Sequence, residues 1–401
     1  MSRPPETEAA PLVYRKGLDL KHAVAGFLTA DYHSEIVESI KASGFRLQTP
    51  QLIVHLAREF GFCYGVDRAV DYAYQARHRF PDQTVYLTGE IIHNPRVNDR
   101  LRALGIRFLS DPGEGVEKVR AGDVVILPAF GVPIAVLLEL ERRGCSLVDT
   151  TCGSVLNVWK TVKRYARDGF TAIIHGKVHH EETRATASQT LQYPGGRYLV
   201  VLDSDEAAEV CAYVRAGGGK RRFMERFREA ASDGFDPDVD LERVGLANQT
   251  TMLMSESLAI GEQFRKAMTD RYGEEALGAH FRSFETICSA TQDRQDAVVA
   301  LLDGQQLDLM IVIGGYNSSN TGNLARICAA RLPTFHVADA ECLRSPEEIR
   351  HRQVGATSET TTPNWLPHTP RPLRVGITAG ASTPDVIVGS VIERLAAFLE
   401  D

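Results

Sequence analysis

Three of the seven cysteines stand in the same local setting, and that recurrence limits the folds open to this chain more than any other feature. Cys63 follows the apolar run Leu52-Ile53-Val54-His55-Leu56 and opens a segment in which Val66, Ala69, Val70, Ala73 and Tyr74 fall at helical spacing. Cys152 follows Ser146-Leu147-Val148-Asp149-Thr150-Thr151 and precedes Val155, Val158, Trp159 and Val162, again one helical stripe, with Gly169 placed to end it. Cys288 follows Phe284-Glu285-Thr286-Ile287 and precedes a helical pattern carrying Ala297, Val298 and Leu301. Each reads as strand, cysteine, helix. The likeness between Asp67-Arg68-Ala69-Val70 after Cys63 and Asp293-Arg294-Gln295-Asp296-Ala297-Val298 after Cys288 points to an internal repeat.

Between these points, short β-rich runs at 84–87, 124–127, 170–174, 198–202, 309–313 and 375–378 alternate with helical stretches, the pattern of α/β units on parallel sheets. The expected architecture is three pseudo-repeated α/β domains in a trefoil-like arrangement around one centre. The expected boundaries are an N-terminal arm over 1–50, with a helix at 34–42, a first domain at 51–151 and a second at 152–287. A third domain follows at 288–380 and a C-terminal helix at 381–401. The interval from Cys152 to Cys288 is the longer one, and the polar stretch from Gly217-Gly218-Gly219-Lys220-Arg221-Arg222 to Asp240 accounts for the excess as a surface insertion near 204–245. The Thr- and Pro-rich run over 356–372 reads as a long connection. In open α/β sheets the ligand crevice lies beyond the carboxyl ends of the strands, and all three cysteines are placed there.

Composition narrows the chemistry. The 45 basic and 52 acidic residues give a net charge of −7, and no Lys/Arg-rich stretch is long enough to follow a nucleic-acid backbone, so nucleic acid is discounted. No apolar run of about eighteen residues exists to span a bilayer. The acidic residues Glu6, Glu8, Asp19 and Asp31 do not suit a targeting peptide, and the expected location is the cytoplasm. An odd number of cysteines without a C-x-x-C pair speaks against both a disulfide framework and a zinc ribbon.

Three thiolates are one short of closing a four-iron cluster, so Cys63, Cys152 and Cys288 would leave one iron open as a Lewis acid for a substrate hydroxyl. A lone cysteine is more often a small buried hydrophobe, which is the reading for Cys145, Cys211, Cys328 and Cys342. Two loops suit an anion. Asn317-Ser318-Ser319-Asn320 lies between the run at 309–313 with Gly314-Gly315 and a helix through Leu324 and Ile327. Gly380-Ala381-Ser382-Thr383-Pro384-Asp385 follows the run at 375–378. Simple capping explains either loop alone; two together make a diphosphate pocket the better reading. His93, and His179 with Glu181 in His175-Gly176-Lys177-Val178-His179-His180-Glu181-Glu182, add groups able to steady diphosphate charge and relay protons. Thr250 in Asn248-Gln249-Thr250-Thr251 can hydrogen-bond a hydroxyl, although an N-cap is the usual role of such a residue.

Together these motifs resemble the 4-hydroxy-3-methylbut-2-enyl diphosphate reductase family. The likeness runs from about Gly61 through Glu90-Ile91-Ile92-His93-Asn94, Asp149-Thr150-Thr151-Cys152, His179-His180-Glu181, Gln249-Thr250-Thr251, Cys288 with Arg294-Gln295, Asn317-Ser318-Ser319-Asn320 and Thr378-Ala379-Gly380-Ala381-Ser382. The resemblance implies one [4Fe-4S] cluster at the centre of the three domains, bound by Cys63, Cys152 and Cys288 with one iron open. It implies diphosphate contacts from His93, His179, Ser318, Ser319, Asn320 and Ser382, a proton-donating Glu181 and a hydroxyl-contacting Thr250. The implied reaction removes the hydroxyl of the allylic diphosphate reductively, giving isopentenyl and dimethylallyl diphosphate in the last step of the non-mevalonate isoprenoid pathway. Phe130, in Ala129-Phe130-Gly131-Val132, stands where many bacterial members carry a diphosphate-binding histidine. With His179-His180-Glu181-Glu182 and the N-terminal arm, this is similar to the plant and cyanobacterial branch, which implies a ferredoxin or flavodoxin as electron donor and favours ferredoxin. An iron–sulfur redox sensor would not need the anion loops, and a zinc hydrolase would carry zinc without iron; these are the two rival readings.

Overall fold

A computed structural model describes residues 12–284, 286–367 and 372–399. They form two compact units. The first comprises the described residues through Gly17, Phe80–Ile91 and Ile106–Cys288; the second comprises Leu18–Arg79, Ile92–Gly105 and the described residues from Ser289 onward.

The first unit holds two wholly parallel sheets. One orders its strands Val13–Tyr14, Ser146–Asp149, Val124–Leu127, Val85–Leu87, Arg107–Phe108; the other orders Phe281–Ser283, Val244–Asn248, Thr171–His175, Tyr198–Val201. Their central strands are buried along their whole length, as covered parallel sheets require. In the second unit, Thr334–Val337, Leu309–Ile313, Leu373–Ala379 and Leu52–Leu56 run parallel, with Arg46–Gln48 antiparallel at the edge. A small antiparallel sheet of Leu343–Ser345, Glu348–His351 and Thr360–Pro363 accompanies it. Among the described residues no helix is long and apolar enough to cross a membrane.

Several boundaries read from the sequence need correction. Leu52–Leu56 pairs with Leu373–Ala379, not with Val85–Leu87, so the strand leading to Cys63 belongs with the late strands and the division 51–151 does not follow the sheets. An apolar five-residue run announces a buried strand but not its partner. The N-terminal arm is no appendage. Its described part gives Val13–Tyr14 to one sheet and Arg46–Gln48 to another, and Gln75 Oε1 accepts from the amides of Leu18 and Leu20. Within it Glu35–Ala42 is helical, capped by Ser34. The insertion packs as well: Phe223, Phe227 and Phe235 are buried in the core, and Ala231 bridges the edge strand at Leu199. The i, i+4 spacing of Phe223 and Phe227 puts both on the buried side of the helix Lys220–Arg226 and the turn that follows. The run over 356–372 contains the strand Thr360–Pro363 and the buried Trp365, whose Nε1 donates to the Ser345 carbonyl, while 368–371 lie outside the described residues. The strand before Cys288 is Phe281–Ser283 rather than 284–287, of which Glu285 lies outside the described residues. The C-terminal helix spans Asp385–Ala397.

Candidate active site

Each of the three singled-out cysteines immediately precedes a helix: Cys63 before Tyr64–Arg79, Cys152 before Gly153–Arg167 and Cys288 before Ser289–Gly304. A residue at that position adjoins the first helix amides, which have no partner within the helix. All three are half-buried, whereas the other four are buried. Burial pushes the Cys145 thiol up to about 11 and those of Cys211 and Cys328 up to about 12, which holds these three as thiols. The chemistry of the first group, three sulfur donors with no histidine or carboxylate among them, fits an iron–sulfur cluster better than a hard cation.

The cysteine loops of each unit are pinned by main-chain bonds. In the first unit the Cys152 amide donates to the Ala129 carbonyl at 2.9 Å, and the Thr150 hydroxyl to that of Leu127 at 2.6 Å. The Cys288 amide donates to the Thr250 carbonyl at 3.3 Å. In the second unit the Cys63 amide donates to the Ala381 carbonyl at 3.2 Å. There the buried Arg294 sends Nε and Nη2 to the carbonyl of Gly61 at 3.2 and 2.7 Å and Nη1 to that of Ala290 at 2.8 Å. A guanidinium thus holds the backbone two residues before Cys63.

The second unit also contains a cradle of neutral polar groups. Ser318 caps the helix Ser319–Ala329, its Oγ accepting from the Thr321 amide. The Asn320 Oδ1 accepts from the Ala381 amide at 2.9 Å, while its Nδ2, on a side chain 1% exposed, has no partner among the described residues. The Ser382 hydroxyl donates to the His93 carbonyl at 3.1 Å, and the Asn317 amide lies 3.4 Å from His93 Nδ1. A Cβ on Gly315 would come within 2.5 Å of that His93 carbonyl, so only glycine permits the approach. His93, Ser318, Ser319, Asn320 and Ser382 are all buried, around a helix N-terminus that suits an anion. The orphaned Asn320 donor is what an absent acceptor leaves behind.

In the first unit the buried His and Glu each lie one residue beyond the expected His179 and Glu181. Glu181 is exposed, and His179 projects outward to Glu229, Nε2 to carboxylate 3.5 Å, with both side chains about four-fifths exposed. His180 and Glu182 are the buried members. The Glu182 carboxylate accepts from the Thr250 amide at 2.6 Å and the Thr250 hydroxyl at 2.9 Å. His180 caps the helix Glu181–Ser188, its Nδ1 accepting from the Glu182 amide at 3.2 Å, which leaves the neutral ring's proton on Nε2. The register follows from helix geometry. Glu182, Ala185, Thr186 and Gln189 form the buried stripe and Glu181, Arg184 and Ser188 the outer one. That periodicity is visible in the sequence and identifies Glu182 once the helix start is known. Thr250 is buried as expected, and Gln249 beside it accepts through Oε1 from the Lys177 amide and the Thr183 hydroxyl. Phe130 and His180 meet in a T-shaped arrangement, ring centroids 5.9 Å apart.

The LytB protein family matches residues 54–396. A 4-hydroxy-3-methylbut-2-enyl diphosphate reductase of a Synechococcus species is 48% identical over 386 residues, 95% of this chain and 94% of the relative. The reductase of the same name from Gloeobacter violaceus is 49% identical over 389 residues, 95% of this chain and 91% of that one. A solved structure of (E)-4-hydroxy-3-methyl-but-2-enyl diphosphate reductase, described as the terminal enzyme of the non-mevalonate pathway, is 29% identical with a TM-score of 0.50, covering 87% of this chain and 100% of its own. The E-1-hydroxy-2-methyl-but-2-enyl-4-diphosphate reductase of Plasmodium falciparum shares the fold with a TM-score of 0.61 at 20% identity, over 86% of this chain and 89% of that one. The chain belongs to the LytB family, the family of these diphosphate reductases.

Proposed function

We propose that this protein reduces (E)-4-hydroxy-3-methylbut-2-enyl diphosphate to isopentenyl and dimethylallyl diphosphate, the terminal step of the non-mevalonate isoprenoid pathway. The observation that carries the reading is one hydrogen-bonded chain in the first unit: the Glu182 carboxylate holds the amide and hydroxyl of Thr250, and the Thr250 carbonyl holds the amide of Cys288. An acid, an alcohol and a thiol are thereby tied together, the three functions that a reductive loss of hydroxide needs from a protein.

The reaction balances as one substrate hydroxyl group, two electrons and two protons giving a C–H bond and water. Cys63, Cys152 and Cys288 would hold a [4Fe-4S] cluster with one iron lacking a protein ligand, which when bound supplies the electrons one at a time and a Lewis acid for the hydroxyl. Thr250 orients that hydroxyl through its Oγ1. Glu182 delivers a proton to the departing oxygen, so that it leaves as water and not as hydroxide. Protonation at one end of the allylic system or the other gives the two products. The diphosphate is held by Ser318, Ser319, Asn320, Ser382 and His93, with the helix N-terminus behind them and His180 Nε2–H in the place first given to His179. Glu182 likewise takes the role first given to Glu181. An external carrier protein supplies the electrons, ferredoxin in this reading, and the enzyme works in the cytoplasm.

Anaerobic purification with iron and sulfide analysis, followed by turnover of the allylic diphosphate with a reduced donor, tests the reading. Four irons and four sulfides per chain with formation of both products are expected. Zinc without iron, or an iron–sulfur protein that leaves the diphosphate intact, would overturn it in favour of the hydrolase or the sensor.

A further inference from the structure

The proposed reaction consumes two electrons that must enter from outside, and the sequence has no Gly-x-Gly-x-x-Gly run for a dinucleotide. One surface of the first unit has the character of an electron entry point. The helix Gly153–Arg167, headed by Cys152, carries Lys160, Lys163, Arg164 and Arg167 and no acidic residue, in a chain whose net charge is −7. Spacings of four, three and four residues put Leu156, Lys160, Lys163 and Arg167 on one line, opposite the buried Val155, Val158, Val162 and Tyr165. Lys160, Lys163 and Arg164 form no ion pair with any described residue; Arg167 and Arg282 share Asp168.

Compensation of the helix dipole accounts for Arg164 and Arg167 in the last turn but not for Lys160 and Lys163. Two exposed apolar side chains border the stripe. Leu156, 37% exposed, lies four residues after Cys152, about 6 Å along the helix axis. Phe284, 44% exposed, lies four residues before Cys288 with the Arg164 guanidinium 4.1 Å from its ring centroid. Leu156, one turn from the candidate ligand Cys152, and Phe284, farther along beside Arg164, lie among cations of which three are unpaired, and apolar contacts set among cations match an acidic partner that must dock and leave again.

We propose that this face of the helix Gly153–Arg167, with Phe284, is the docking surface for a small acidic electron-carrier protein. The proposal rests on the reductase reading above. The cations raise the association rate and orient the carrier, Leu156, nearest Cys152 along the helix, sets the point of closest approach, and Phe284 adds an apolar contact.

The test uses the cluster-loaded full chain with two donors, a reduced plant-type [2Fe-2S] ferredoxin and reduced methyl viologen. In the triple variant Lys160→Glu/Lys163→Glu/Arg167→Glu, kcat/KM for ferredoxin should fall by about tenfold or more and lose its decrease with rising salt. Viologen-driven turnover and the KM for the diphosphate should stay as in the parent. Unchanged ferredoxin kinetics would overturn the proposal. So would a raised diphosphate KM with ferredoxin binding intact, which would make the stripe a steering device for the anionic substrate. If the triple variant loses viologen turnover as well, the milder Lys160→Gln/Lys163→Gln variant decides by calorimetric titration with ferredoxin: weaker, less salt-dependent binding supports the surface, and parental binding overturns it. Failure of the parent with both donors would instead refute the reductase reading, while the ferredoxin titration would still report on the surface.

Discussion

The anion cradle of the second unit and the acid centre of the first are built on opposite principles. The cradle is neutral and local. Asn317, Ser318, Ser319 and Asn320 are consecutive, their positions follow from one strand–loop–helix turn, and helix amides supply the positive field. The acid centre is assembled from distant segments, Glu182 meeting Thr250 across 68 residues of chain. A cradle of neutral donors tolerates the loss of one contact, because the others and the helix end remain. A single carboxylate in the proposed proton path has no substitute. The contrast therefore predicts steep losses on one side and graded ones on the other.

The steepest should be Glu182→Gln, which keeps the shape but not the proton and should lower kcat by about 10²–10³-fold. Glu181→Gln, on the outer face, should leave steady-state turnover within about twofold of the parent. Equal losses in both variants would erase the distinction between the two glutamates. Next is Arg294→Met, which strands the Gly61 carbonyl. It should cost about 2–3 kcal/mol in denaturant unfolding and lower the iron retained per chain, and full iron content with normal stability would show that the Cys63 loop holds its shape unaided.

The cradle should also carry an acid limit of its own. His336 donates through Nε2 to the carbonyl of Gly314, at the base of the cradle loop, and burial pushes its pKa from 6.5 down to about 4. Below pH 6.5 the unfolded chain takes up a proton that the folded one refuses. This contribution is thus complete above 6.5 and drains away as pH falls toward 4, amounting to about 2 kcal/mol by pH 5. Urea midpoints at pH 7 and 5 should show the loss, and His336→Gln should flatten it. The smallest effect belongs to Asn320→Ala, expected to raise the KM for the diphosphate by about tenfold, or 1.4 kcal/mol, with kcat little changed. A collapse of kcat instead would mean that the cradle, like the acid centre, acts at the reacting carbon.

The same contrast explains what could be read before the structure. Val124–Leu127 and Leu309–Ile313 are visible as uninterrupted apolar runs, and the placement of the cysteines and of Asn317 to Asn320 follows from local alternation of strand and helix. The partner of Leu52–Leu56 is not visible, because pairing with Leu373–Ala379 is a property of the whole chain. The choice between Glu181 and Glu182 turns on one residue of helix register. Two adjacent His–Glu pairings fit the motif equally, and only the cap at His180 and the buried stripe through Ala185 and Gln189 separate them. The insertion shows the limit of composition, since its charged residues hide three aromatic side chains that complete a core.

The strand Leu373–Ala379 lies between Leu309–Ile313 and Leu52–Leu56, and the loop after it gives the Ala381 carbonyl to the Cys63 amide. During synthesis the segment carrying Cys63 therefore emerges long before the backbone that shapes it. Closing this sheet waits on the latest strand, a long-range step that slows folding. An incomplete chain consequently exposes Cys63 without the backbone that holds its loop, so under the proposed ligand role the order of translation would itself delay metal capture until the polypeptide is nearly finished.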